Sequence, residues 1–198
     1  MKSNAAGAAP LADLPSWAAD ACHELRSILG AIAVEDINAL CNLLAQARVI
    51  AVHGLGREGL MMRALGMRLF HLGLQASPVG DMALPAVGEG DIFVASAGPG
   101  HFDTVAALMR IARAAGAQTV LLTAEPDAPL RSYADLTILL PARTMARPAE
   151  HSSGPLALPM GSAYEGGLFL LCEYIVAQLA SRLEIDEVSM RARHTNLE

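Results

Sequence analysis

The chain has 198 residues, of which 53% are hydrophobic and 17% are charged, and its formal net charge is −6. This length suits one globular domain, and an acidic balance with scattered Lys and Arg disfavours a nucleic-acid partner, since phosphate binding needs a basic face. The longest apolar run, GGLFLLCEYIVAQLA, contains Glu173 and is shorter than the roughly 20 residues that span a bilayer, so we expect no membrane partner.

Residues 1–15 carry interrupting prolines and no sustained apolar run, so they predict a mobile tail rather than a signal peptide. Residues 16–198 are predicted to form a single domain. The three cysteines, Cys22, Cys41 and Cys172, form no C-x-x-C pair and lie in apolar helical contexts. An odd number of such cysteines is typical of reduced core residues in a cytoplasmic protein.

Apolar periodicity predicts that helices and strands alternate after two N-terminal helices. The predicted helices lie near residues 17–32, 36–47, 60–73, 103–116, 163–182 and 186–193, with a short one in PDAPLRSYA. The predicted strands lie in RVIAVH, LQASPVG, DIFVASA, AQTVLLTA and LTILLPA. This alternation implies an α/β fold with a parallel sheet, whose ligands bind beyond the carboxyl ends of the strands. A loop over about residues 141–161 has no apolar period, and loops of that length are usually functional or disordered.

Two glycine-rich turns follow predicted strands. The first, VHGLGREGL, sets Gly54, Gly56 and Gly59 in G-x-G-x-x-G spacing, and the second, AGPG, follows DIFVASA. Three interpretations fit the first turn. It could bind a dinucleotide, in which case Asp81, 22 positions after Gly59, would be the acid that binds the ribose. It could instead bind a phosphorylated small ligand, or it could be a tight turn alone. A dehydrogenase would need a substrate domain, and only a loop and two helices follow the fifth strand. Two such turns on neighbouring strands favour a ligand, because their backbone N–H groups form an anion site.

Five segments occur in the order, and close to the spacing, of a known enzyme family: GLGREGLMMRALGMRLFHLG, VGDMALPAVGEGDIFVASAGPG, LLTAEPDAPL, LPMGSAYEG and MRARHTNLE. From about Asp36 to Glu198, the chain therefore resembles the 6-phospho-3-hexuloisomerases of the sugar isomerase (SIS) domain family. The resemblance implies a three-layer α/β sandwich with a five-stranded parallel sheet, doubly wound like flavodoxin. It also implies a homo-oligomer, dimer or tetramer, with sites shared between subunits. The implied reaction is isomerisation of a sugar phosphate through an enediol, with no cofactor and no metal.

The resemblance further implies two catalytic residues. Glu165 falls where the family has the base that moves a proton, and His194 falls where a histidine suits ring opening or proton shuttling. Each has a structural alternative. Ser162 and Glu165 match a capping box, and the basic residues around His194 could complement the last turn of a helix.

The substrate-binding residues implied by the resemblance or by the two turns are Gly54, Gly56, Arg57, Glu58, Ser96, Gly98, Gly100, His101 and Thr123. Arg57 could instead be solvated, Ser96 could be a turn residue, and Thr123 could be bonded to backbone within its strand. The other histidines, His23, His53, His71 and His151, lack metal-ligand spacing.

The chain departs from the family where phosphate is held. The family has G-x-G-R-S-G and S-G-S-G-E-T, whereas this chain has Glu58 in place of the first serine and AGPGHF at residues 97–102. A carboxylate repels a phosphate by on the order of 4 kcal/mol at 4 Å in a surface-like dielectric. Either backbone N–H groups, Ser96, Thr123 and Arg57 still hold a phosphate, or Glu58 receives hydroxyls of an unphosphorylated sugar or a sugar acid. In the second case His101 is a candidate for altered specificity, and a non-catalytic sugar-binding module is a further alternative.

Overall fold

The computed structural model describes residues 13–146 and 157–197. The helices are α1 (Leu14–Gly30), α2 (Val34–Gln46), α3 (Gly56–His71), α4 (Asp103–Ala114), α5 (Ser162–Arg182) and α6 (Glu187–Ala192), with a 3-10 helix over Pro129–Tyr133. The strands are β1 (Ile50–His53), β2 (Ala76–Pro78), β3 (Ile92–Ser96), β4 (Gln118–Thr123) and β5 (Leu136–Leu139). Every predicted helix and strand is therefore present.

The five strands form one parallel sheet in the order β2-β1-β3-β4-β5. Successive strand residues point to opposite faces, so each face has its own core. Val52 and Val94 pack on one face with residues of α1, α2, α3 and α5, while Phe93 and Ala95 pack on the other with residues of α4. The predicted three-layer α/β sandwich is confirmed.

Two predicted boundaries differ from the structure. The helix α3 begins at Gly56 rather than near residue 60. The prediction relied on the apolar periodicity of the helix, and residues of its first turn line a cavity instead of continuing the apolar face. The helix α1 begins at Leu14, inside the predicted tail, and Asp13 caps it by accepting a hydrogen bond from the Ser16 backbone N–H. The rest of the predicted tail, residues 1–12, and the middle of the predicted loop, residues 147–156, lie outside the described residues.

The cysteines divide between core and surface. Cys41 and Cys172 are buried as predicted, and burial raises the pKa of Cys172 to about 12. The prediction was wrong for Cys22, which is exposed because α1 buries only Ala21 and Ile28. All three thiols are free.

Within residues 13–146 and 157–197, none of the helices alone combines the length and the hydropathy of a membrane span. The helices α1 and α2 reach that length and hydropathy only when taken together, and the chain bends by 77° between them.

Candidate active site

A cavity of about 260 Å³ lies beyond the carboxyl ends of β1 and β3, where the α/β fold predicts a ligand site. The first turn of α3, the turn after β3, the loop after β5 and the first turn of α5 all contribute to its wall. Its lining residues are Leu55, Gly56, Arg57, Glu58, Pro99, Phe102, Thr144, Met145, Gly161, Tyr164 and Glu165. Three of the predicted site residues from α3 and the predicted base from α5 are therefore brought together.

Glu165 projects into this cavity from the first turn of α5. Its Oε2 lies 2.8 Å from Nη1 of Arg57, which also donates a hydrogen bond to Ser162 Oγ at 2.9 Å. The ion pair is not aligned as a hydrogen bond, so this buried oxygen has no hydrogen-bond donor among the described residues. The alternative capping box does not form, because the N-cap is Gly161 and no side chain bonds to the helix N-terminus.

Glu58 turns inward from the first turn of α3 and is only 7% exposed. Its Oε2 accepts hydrogen bonds from Ser96 Oγ at 2.6 Å and from the Gly98 backbone N–H at 3.0 Å. Burial raises the pKa of Glu58, the two hydrogen bonds oppose that rise, and the neighbouring Glu165 carboxylate adds to it. Both predicted donors at the end of β3 are thus bonded to a carboxylate of the same chain.

Tyr164 extends this set of hydrogen bonds. Its hydroxyl lies 3.1 Å from Ser96 Oγ, and because Ser96 donates its own proton to Glu58, Tyr164 is the donor. Burial raises the pKa of Tyr164 well above its ordinary value, so the phenol keeps its proton. A buried relay of donors therefore runs from Tyr164 through Ser96 to Glu58.

The predicted site glycines have different roles. A Cβ on Gly59 would lie 2.5 Å from the Gly54 carbonyl oxygen, so these two residues let the end of β1 and α3 approach closely. Gly56 has a φ of +55° and lines the cavity. A Cβ on Gly98 would lie 2.8 Å from two ring carbons of Tyr164, so only glycine fits between that ring and the turn.

Six predicted binding residues lie outside the cavity lining: Gly54, Ser96 and Gly98, described above, and Thr123, His101 and Gly100. Thr123 is buried and bonds only to backbone, donating to the Gly98 carbonyl at 3.4 Å and accepting from the Glu125 N–H at 3.2 Å. His101 is exposed, and its Nε2 lies 3.0 Å from Asp103 Oδ1. Gly100 adopts a φ of +88° at the turn before α4. These residues shape the turn after β3 or flank its outer side.

His194 lies apart from Glu165 within one chain. Its ring centroid is 5.1 Å from that of His71, and both rings line a different surface pocket with Arg68 and Glu187. Among the described residues, no group of three or more His, Cys, Asp or Glu side chains could hold a metal ion.

Sequence reasoning missed several cavity residues. Tyr164 stands beside Glu165 in the segment LPMGSAYEG, and a hydroxyl in the first turn of an otherwise apolar helix was the available signal. The buried Thr144 and the exposed Met145 come from the irregular chain after β5, where no periodicity marks a cavity-lining side chain.

Comparison with known proteins places this chain in a family. The SIS domain family is matched by residues 43–163. A 3-hexulose-6-phosphate isomerase of Mycobacterium gastri is 33% identical over 83% of this chain and 81% of its own length. A 3-hexulose-6-phosphate isomerase of Bacillus subtilis strain 168 is 29% identical over 92% of this chain and 97% of its own length. A protein of Methanococcus jannaschii has a crystal structure that infers a molecular function of 3-hexulose-6-phosphate isomerase for it. That structure is similar to this chain with a TM-score of 0.78 at 24% identity, over 92% of this chain and 99% of its own. Since the matched residues make up more than half of the chain, the protein belongs to the SIS domain family.

Proposed function

We propose that this protein is an isomerase of a six-carbon ketose, either a sugar phosphate or a related sugar, with Glu165 as its base. The observation that carries the proposal is the Glu165 carboxylate, which contributes to the cavity lining and whose buried Oε2 receives no hydrogen bond from a described residue. Relatives named 3-hexulose-6-phosphate isomerase at about 30% identity support the same reaction class.

The proposed reaction moves one C–H proton between neighbouring carbons and one O–H proton between their oxygens. Glu165 takes the proton from the carbon next to the carbonyl, the electron pair of that C–H bond forms the carbon–carbon double bond, and the carbonyl electron pair moves onto the carbonyl oxygen. That oxygen takes the hydroxyl proton of the neighbouring carbon, and the Glu165 carboxylic acid returns its proton to the former carbonyl carbon, so that the neighbouring C–O becomes the new carbonyl. Arg57 holds the carboxylate in place and can stabilise the negative charge that develops on the enediol oxygens.

Replacement of the proposed base tests this function directly. Glu165→Gln should lower the rate of isomerisation by about 100-fold or more, because the amide cannot accept the proton. The measurement is deuterium uptake from D2O into fructose 6-phosphate and into unphosphorylated fructose, followed by NMR.

Glu173→Gln is the matched control, since it makes the same change on α5 outside the cavity. If Glu165→Gln exchanged deuterium as fast as the wild type, Glu165 would not be the base. If the wild type bound these sugars without exchange, the protein would be a binding module rather than an isomerase.

We also infer that the protein is a homo-oligomer in which His194 serves the cavity of a neighbouring copy. Two observations support this arrangement. His194 lies outside the cavity of its own chain. In addition, large apolar side chains on α3 and α5 are exposed, namely Leu60, Met67, Phe70, Phe169, Leu170 and Tyr174.

A cytoplasmic location is part of the same proposal. All three cysteines are free thiols, although Cys22 is exposed and accessible to oxidants. Proteins with this cysteine usage are typical of a reducing compartment.

A further inference from the structure

The charges around the cavity are unbalanced. Two carboxylates, Glu58 and Glu165, contribute to its lining, and Arg57 is the one cationic side chain among the described residues that line it. Arg57 is already paired with Glu165 at 2.8 Å. A dianionic group entering this cavity would therefore meet a second carboxylate without a free cation to offset it.

The end of β3 offers the two donors that would bind an anion there. We call the Ser96 hydroxyl and the Gly98 backbone N–H the anion slot. Both donate to a single oxygen of Glu58, at 2.6 Å and 3.0 Å. Charge-assisted hydrogen bonds of this kind are the stronger ones, and the carboxylate of the chain itself uses both donors of the slot.

The carboxylate is held there from several sides. The Tyr164 hydroxyl is hydrogen-bonded to Ser96 Oγ, with 3.1 Å between the two oxygens. A Cβ added at Gly98 would lie 3.1 Å from Glu58 Oε1 and 2.8 Å from Tyr164, so the turn packs closely against both side chains. Because both hydrogen bonds go to Oε2, Oε1 can accept a hydroxyl from a ligand in the cavity.

We propose that Glu58 is a specificity-determining residue that occupies the anion slot, so that the cavity selects a ketose with a hydroxyl rather than a phosphate at that position. This inference rests on the proposed isomerase function and narrows its substrate class to unphosphorylated sugars. It also predicts that removing the Glu58 side chain opens the slot to phosphate.

The test compares wild type, Glu58→Ser and Glu58→Gln by calorimetric titration with inorganic phosphate and with fructose 6-phosphate. Glu58→Ser removes both the charge and the volume and leaves the slot donors free, so we expect its affinity for both probes to exceed that of the wild type by at least tenfold. Glu58→Gln removes only the charge and keeps the slot filled, so its affinity should stay well below that of Glu58→Ser. Circular dichroism of each variant confirms that the fold is kept, and Glu173→Gln should bind like the wild type.

Two results would overturn the inference. Tight binding of inorganic phosphate and fructose 6-phosphate by the wild type, unimproved in Glu58→Ser, would mean that phosphate binds with Glu58 in place. Weak binding by all variants, Glu58→Ser included, would mean that Ser96 and Gly98 do not form an anion site. The titrations with inorganic phosphate and fructose 6-phosphate measure binding, whereas the deuterium-exchange assay measures catalysis. An absence of deuterium exchange in the wild type would overturn the proposed isomerase function and not this inference.

Discussion

Two glutamates in one cavity have opposite surroundings. Glu58 is buried and accepts hydrogen bonds from Ser96 and Gly98, whereas Glu165 is paired with a largely exposed Arg57. The sequence predicted both residues for the site, because each lies where a strand or loop meets a helix in the resemblance. The sequence did not predict that Glu58 would accept the hydrogen bonds of the Ser96 hydroxyl and the Gly98 N–H. These bonds depend on the rotamer of the Glu58 side chain and on contacts between residues far apart in the chain.

The burial of Glu58 predicts a pH-dependent stability. Its pKa is raised in the folded chain, so folding favours the protonated form. The protonated Glu58 contributes its full stabilisation below the ordinary glutamate pKa of about 4.3, and this contribution is lost as the pH rises through the pKa of the folded chain. The loss is about 1.4 kcal/mol for each unit by which the folded pKa exceeds the unfolded one.

Glu58→Gln cannot ionise, so its free energy of unfolding relative to wild type should increase as the pH rises from about 4 towards 7. Urea unfolding at a series of pH values measures this difference. The half-buried Glu173→Gln is the comparison variant, and a difference for Glu58→Gln that is independent of pH would contradict the prediction.

At the scale of elements, the site depends on how the turn after β3 packs against α5. Gly98 lies against the Tyr164 ring so closely that an added Cβ would be 2.8 Å away. The sequence predicted the strand, the turn and the helix, because each has its own periodicity or glycine pattern. It could not predict this contact, because packing between elements leaves no local period.

Gly98→Ala should displace the Tyr164 ring and weaken the bonds to Ser96. We expect a loss of about 1–3 kcal/mol in the free energy of unfolding, as for other overpacked sites, together with weaker ligand binding. Thermal unfolding and ligand titration measure the two effects. Gly30→Ala is the control, because a Cβ there meets no atom within 4 Å; equal stability of the two variants would show that the turn can adjust.

At the scale of the whole molecule, the alternation of strands and helices predicted a parallel sheet, which needs helices on both faces, and the family resemblance implied the three-layer sandwich. The position of His194 relative to Glu165 was not predictable, because it depends on where the last helix docks and on the proposed neighbouring copy. The exposed apolar side chains of α3 and α5 mark the face where that copy is expected.

Tyr174→Arg should convert the proposed oligomer into a monomer and lower activity with it, because a charge at an apolar interface is costly to desolvate. Light scattering after size exclusion measures the mass. Ile111→Arg changes another exposed apolar residue, on α4 at the other side of the sheet, and should leave the mass unchanged. A monomeric wild type would contradict the prediction.

The relay from Tyr164 through Ser96 to Glu58 also bears on the order of folding. It joins residues that are 38 and 68 positions apart in the chain, and such long-range contacts form only after the intervening loops have closed. Until α5 has docked on the sheet, the chain has neither the relay nor the complete cavity wall. Ligand binding therefore reports on fully folded chains, and a nascent chain released before residue 164 cannot assemble the site.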